Sequence, residues 1–143
     1  MSKISFLSNT VTKPFDRYFE AHECSHFEVN NITQVLSGKV DADYLVLLID
    51  ISYFAFDGFL NDKSNEIFDE LFGLLEFFRK NNSTKVIVSN IAGTYLDINT
   101  SLNIEEHQKL LDLNCKINRI AEISDIAILN VYHLISLHGY QNF

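Results

Sequence analysis

Tyr44-Leu45-Val46-Leu47-Leu48-Ile49-Asp50 is an unbroken apolar run that closes on a carboxylate. A run this short reads as a strand, and apolar residues at successive positions predict burial on both faces, as in the middle of a parallel sheet. Working outward, Thr84-Lys85-Val86-Ile87-Val88-Ser89-Asn90 repeats the pattern, and Ile126-Ala127-Ile128-Leu129-Asn130 supplies another strand. On the N-terminal side stands Ile4-Ser5-Phe6-Leu7, ending in Ser8-Asn9-Thr10-Val11-Thr12, and then a weaker amphipathic stretch, His26 to Val29, that suits a sheet edge.

Helical patterns separate these runs. One follows Pro14 over Phe15 to Ala21, where the proline suits a first turn, and a short one spans Asn31 to Ser37 with Gly38 as its stop. From Ser64 to Lys80, residues Ile67, Phe68, Leu71, Phe72, Leu75 and Phe78 recur at helical spacing. Acidic residues come early in that segment and Arg79-Lys80 late, an order that complements the helix dipole. A long helix is expected from Asn103, which has capping-box spacing to Glu106, with Leu110, Leu113, Ile117 and Ile120 on one face. Tyr132, Leu134, Ile135 and Leu137 begin a last helical pattern before Gly139 to Phe143. Alternating strands and helices predict an α/β chain: a flavodoxin-like, three-layer, doubly wound parallel sheet of five strands in the order 2-1-3-4-5, filling residues 1–143 as a single domain.

The 143 residues are 47% hydrophobic and 21% charged, enough to build a core without cross-links, so Cys24 and Cys115 need no disulfide. A net charge of −8 lacks the positive footprint that nucleic acid requires. The N-terminal apolar stretch is too short for a signal sequence or a membrane span, so a cytoplasmic protein with no membrane partner is expected. Glycine-rich phosphate loops, a Gly-x-Ser-x-Gly elbow, Cys-x-x-Cys and Asp-x-Asp-x-Thr are all absent from the chain. His22-x3-His26 crosses an expected element boundary without a second ligand pair, so neither a metal nor another cofactor is expected.

In a doubly wound sheet, ligands bind beyond the carboxyl ends of the strands, where the strand order reverses. That rule selects Ser8, Asn9, Thr10 and Thr12, then Asp50, Ser52 and Tyr53, then Ser89 and Asn90, then Asn130 and His133. Hydroxyls there serve as nucleophiles when a base stands beside them, and otherwise cap turns. Tyr53, Phe54, Phe56 and Phe59 crowd the loop after the third strand, either as core or as a partner surface.

Ile4 to Thr12, the run ending Leu47-Leu48-Ile49-Asp50, and Ile128-Leu129-Asn130 together resemble the N-terminal domain of FkbH-like proteins. In that family of polyketide and surface-polysaccharide biosynthesis, an SGNH-hydrolase-like domain precedes a haloacid-dehalogenase-type catalytic domain. The resemblance implies the N-terminal module of a longer protein, one that binds or transfers an acyl- or glyceryl-type group or docks a carrier. Its catalytic residues would be Ser8 or Thr10, with His133 or His138 as base, and its substrate-binding residues Asn9, Asp50, Ser52 and Asn90. Expected partners are a small-molecule or carrier-bound substrate, an acyl carrier protein, or a downstream dehalogenase-type domain. Where the SGNH pattern has Gly-Asp-Ser this chain has Ser8-Asn9-Thr10, and Asp-x-x-His has only Asn130-x-x-His133 as counterpart, so whether the module is an enzyme stays open. Two alternatives remain: an inactive interaction domain, and a degenerate response-regulator receiver. The second rests on Leu47 to Ser52, which is similar to a receiver's third strand with Asp50 as phosphoacceptor, but Ser8-Asn9 replaces the acidic pair that would hold magnesium.

Overall fold

The apolar run from Tyr44 forms the middle strand of a five-stranded, all-parallel sheet ordered β2-β1-β3-β4-β5. The strands are β1 (Lys3–Ser8), β2 (Glu23–Glu28), β3 (Tyr44–Leu48), β4 (Lys85–Ser89) and β5 (Ala127–Leu129). The α-helices are α1 (Ile32–Ser37), α2 (Asp62–Asn81) and α3 (Ile104–Ser124). The structure, a computed structural model, describes residues 2–9, 12–37, 41–91 and 104–130. Thr10, Gly38, Asn103, His133 and His138, together with the expected last helix, lie outside the described residues.

Strand alternation sorts the two sheet faces. Leu7, Leu45, Leu47, Val86 and Val88 point into the main core, where they meet Phe68, Leu71, Phe72, Leu75 and Phe78 of α2 and Leu110, Leu113 and Ile117 of α3. Those helix residues are the ones selected by 3.6-residue periodicity. The opposite face carries Ile4, Phe6, Tyr44, Val46, Leu48, Ile87 and Leu129 around an apolar cavity of about 480 Å³. The expectation that β3 is buried on both faces is therefore corrected: Leu45 and Leu47 are buried, whereas Tyr44, Val46 and Leu48 are only half-buried. Among the described residues, Phe15 and Phe19 cover part of this second face, their rings 5.7 and 6.0 Å from that of Phe6. They belong to a segment expected to be α-helical over Phe15 to Ala21, which instead forms a six-residue 3₁₀ helix, Lys13–Tyr18. Pro14 opens it as expected, but none of its residues is buried, so no packed apolar face supports an α-helix there, unlike the equally short α1, which buries Ile32 and Leu36.

The loop after β3 turns through a 3₁₀ segment, Ile51–Tyr53, and then a two-residue hairpin. Phe56 and Phe59 exchange both backbone hydrogen bonds across Asp57-Gly58, whose φ angles of 53° and 83° are those of the left-handed turn that Asp-Gly favours. Asn61 ties this hairpin to α2. Its side-chain oxygen accepts from the Lys63 N–H at 2.9 Å, its own N–H donates to Ser64 Oγ at 3.1 Å, and its amide donates to the Phe56 and Phe59 carbonyls at 3.0 and 3.2 Å. Asn61→Ala should cost about 1–2 kcal/mol, the upper half of the range for an N-cap, because the hairpin loses its tether as well. Urea unfolding reads this directly, and an unchanged midpoint would refute the tether.

Candidate functional site

The strand order reverses between β1, which leads outward to β2, and β3, which leads the other way to β4. Asn9 and Asp50 leave the carboxyl ends of β1 and β3 at this point and meet in a reciprocal pair. Asn9 Nδ2 donates to Asp50 Oδ1 at 2.8 Å, and the Asp50 N–H donates to Asn9 Oδ1 at 3.0 Å. Ser52 completes the cluster: its N–H donates to Asp50 Oδ1 at 2.8 Å, its hydroxyl donates to the same oxygen, and Asn9 Nδ2 lies 3.3 Å from Ser52 Oγ. A carboxylate gathering this many donors is fixed in place, and it caps the Ile51–Tyr53 turn.

Ser8 is 1% exposed and its hydroxyl donates to the Leu48 carbonyl at 2.5 Å, stitching the ends of β1 and β3 together. Asn90 stands in a second cluster at the β4 and β5 ends, with Nδ2 donating to Asn130 Oδ1 at 3.1 Å and its N–H to the Leu129 carbonyl at 3.2 Å. The rim selected from the sequence is thus divided into an Asn9–Asp50–Ser52 cluster and an Asn90–Asn130 pair. Thr10, His133 and His138, the other catalytic candidates, lie outside the described residues. Of the aromatic loop, Phe54 is buried in the core, whereas Phe56 and Phe59 are 44% and 59% exposed on the hairpin.

A third group was not singled out by sequence reasoning. Thr12 Oγ1 lies 2.8 Å from His26 Nδ1, and His26 Nε2 lies 2.6 Å from Asp16 Oδ1. Register explains the meeting, because His26 of β2 pairs with Phe6 of β1 and its ring stacks on the Phe6 ring at 5.3 Å and 5°. The segment that lays Phe15 over Phe6 brings Asp16 to the same place. Cys24, two residues earlier on β2, is held above the usual thiol range first by burial and then by the Asp16 carboxylate, so at neutral pH it is a protonated thiol. Alternation in β2 was the one available signal, since it puts Cys24 and His26 on one face. Among the described residues, no group of three or more His, Cys, Asp or Glu side chains is arranged to hold a metal ion. None of the described helices is long and apolar enough to cross a membrane. A cavity of about 460 Å³ runs between the two groups, lined by Ser8, Asn9 and Tyr53 on one side and by Thr12, Lys13 and His26 on the other.

The class defined here is a three-layer α/β fold with a polar rim at its switch point, and GDSL-like lipases share that fold. No protein-family model and no curated protein matches the sequence. Solved structures do match. The N-terminal part of a Bacteroides fragilis protein containing a phosphatase domain, complexed with Mg, superposes with a TM-score of 0.65 at 14% identity over 96% of this chain. The chain spans 42% of that structure's length. A GDSL-like lipase from Bacteroides thetaiotaomicron gives 0.64 at 17% identity, covering 94% of this chain and 70% of the lipase. A candidate acylhydrolase from Bacteroides fragilis gives 0.62 at 17% identity, covering 90% and 67%.

Proposed function

We propose that this chain is an SGNH-like module that binds an acyl- or glyceryl-type group, free or carrier-bound, over the carboxyl ends of β1 and β3, within an FkbH-like biosynthetic protein. The observation that carries the reading is the Asn9–Asp50–Ser52 cluster, a rigid polar platform at the switch point, beside an open cavity. The solved neighbours support it: two are a lipase and a candidate acylhydrolase, and the third is part of a protein that also contains a phosphatase domain. Ser8 serves in this reading as a strut, because its buried hydroxyl already donates to Leu48. A receiver's phosphoacceptor role for Asp50 is disfavoured, since Asn9 occupies the place where a magnesium-holding carboxylate would stand.

The test is titration of the protein with S-acetyl-N-acetylcysteamine, a stub of a carrier-bound acyl group, followed by amide NMR. Saturable shifts centred on Asn9, Ser52 and Tyr53, and weakened at least about tenfold in Ser52→Val, are expected from the loss of a hydrogen bond to a bound polar group. Saturable shifts elsewhere, or none, overturn the reading. The exposed Phe56 and Phe59 favour a second reading, a docking tip for a partner protein. Phe56→Ser should then leave thioester binding untouched while weakening the partner contact.

A further inference from the structure

We propose that Thr12, His26 and Asp16 form a hydroxyl–imidazole–carboxylate relay in which Thr12 Oγ1 accepts an acyl group from an activated ester or thioester. Only the choice of an acyl donor rests on the function proposed above; the relay stands on its own geometry and uses neither Ser8 nor Thr10. Thr12 occupies the N-cap position of the Lys13–Tyr18 segment, where a threonine hydroxyl ordinarily accepts from a backbone N–H one turn on. Here it makes no such bond and points to His26 instead. A side chain diverted from its usual local role in this way is not explained by turn closure.

The partners then fix the proton positions. An ionised Asp16 carboxylate only accepts, so the Nε2 facing it at 2.6 Å carries the hydrogen. In the neutral ring this leaves the Nδ1 lone pair aimed at Thr12 Oγ1, 2.8 Å away, which makes the imidazole an acceptor for the hydroxyl proton. The two ring nitrogens are exchanged relative to the familiar Ser-His-Asp arrangement, so here Nδ1 is the base and Nε2 faces the carboxylate. Stacking on Phe6 holds the ring plane. Thr12 is buried yet lines the 460 Å³ cavity, whose lining also holds Glu28 and, as side chains able to donate to an oxyanion, Lys13 and Asn30.

The step balances without any further reactant. Thr12 Oγ1 bonds to the acyl carbonyl carbon as its proton passes to His26 Nδ1. The tetrahedral intermediate then expels the thiolate or alkoxide, which takes that proton from the imidazolium. Acyl-Thr12 and a free thiol or alcohol remain, with Asp16 having stabilised the transient imidazolium.

The experiment treats the protein with p-nitrophenyl acetate, an activated ester too small to need the Asn9–Asp50–Ser52 platform, and maps the acetylated residue by tandem mass spectrometry. One acetyl group on Thr12 is expected, removable by hydroxylamine, which separates this ester from an amide on neighbouring Lys13. Acetylation should fall at least about 100-fold in His26→Gln and in Thr12→Val, and by a smaller factor in Asp16→Asn, while Thr12→Ser retains it. Asp16→Asn is the safeguard against a folding artefact, because the Asp16 side chain is 43% exposed and the exchange preserves its shape. No acetyl on Thr12, or an Asp16→Asn protein that is folded by circular dichroism and acetylated at the original rate, overturns the relay. If thioester binding at the platform persists while Thr12 stays unmodified, the relay fails alone; if Thr12 is acetylated but the platform binds nothing, the binding reading fails alone.

Discussion

Phe68→Ala is expected to cost about 3–5 kcal/mol, a large part of the 5–15 kcal/mol that holds an ordinary domain together. Phe68 is 1% exposed, stacks on Phe72 at 4.3 Å and 18°, and lies 6.0 Å from the Phe54 ring in the loop after β3. The Lys116 ammonium of α3 sits 5.5 Å over the same ring. One side chain therefore connects α2 to α3 and to the segment that carries the Asp50 turn, and its removal leaves a cavity where all three converge. Phe77 on the same helix is 68% exposed and provides the control, for which Phe77→Ala should change stability by less than about 0.5 kcal/mol. Urea unfolding of both variants decides the matter. Similar midpoints for the two would mean that Phe68 is not where the core converges.

The second large effect is expected at Asn9. Its side chain donates to Asp50 and to Ser52 and accepts from the Asp50 backbone, so Asn9→Ala strips a half-buried carboxylate of one donor and a backbone N–H of its acceptor. Leaving such groups unsatisfied costs about 2–3 kcal/mol. Asp50→Ala should cost a similar amount, and the double variant less than the sum, with a coupling of about 1–3 kcal/mol. Additive losses would mean that the two residues act separately and that the platform is not a unit. The same cycle, followed by thioester titration, distinguishes a structural platform from one that also holds ligand.

Strand order and the place of the rim were legible in the sequence, each for a separate physical reason, whereas the second strand, expected over His26 to Val29, runs over Glu23–Glu28 and gives way to a 3₁₀ turn at Val29. Tyr44 to Leu48 announces itself because a central parallel strand needs no polar alternation, and once five strand candidates are counted, right-handed crossovers leave few orders. Asn9, Asp50 and Ser52 could be named because topology, not motif, selects the ends of β1 and β3. The stretch after Pro14 misled at the first helix: Phe15 to Ala21 reads as helical, yet the chain forms a short 3₁₀ segment there, and the Phe15 and Phe19 rings lie beside Phe6. The grouping of Thr12 and Asp16 with His26 went unrecognised because the first two border and belong to Lys13–Tyr18 and the third lies on β2, and only the β1–β2 register and the fold-back of that segment bring them together. No spacing rule encodes a meeting of that kind.

The position of β2 at the sheet edge also bears on how the molecule behaves at high concentration. An edge strand offers unpaired amides and carbonyls to any second chain that can align with them. In β2 the two terminal residues, Glu23 and Glu28, are both exposed carboxylates. Were two copies to zip edge to edge about a two-fold axis, antiparallel alignment would set each Glu23 against the other chain's Glu28, like charge facing like at both ends of the seam. A sheet that ends on such a strand thus carries its own guard against edge-to-edge pairing.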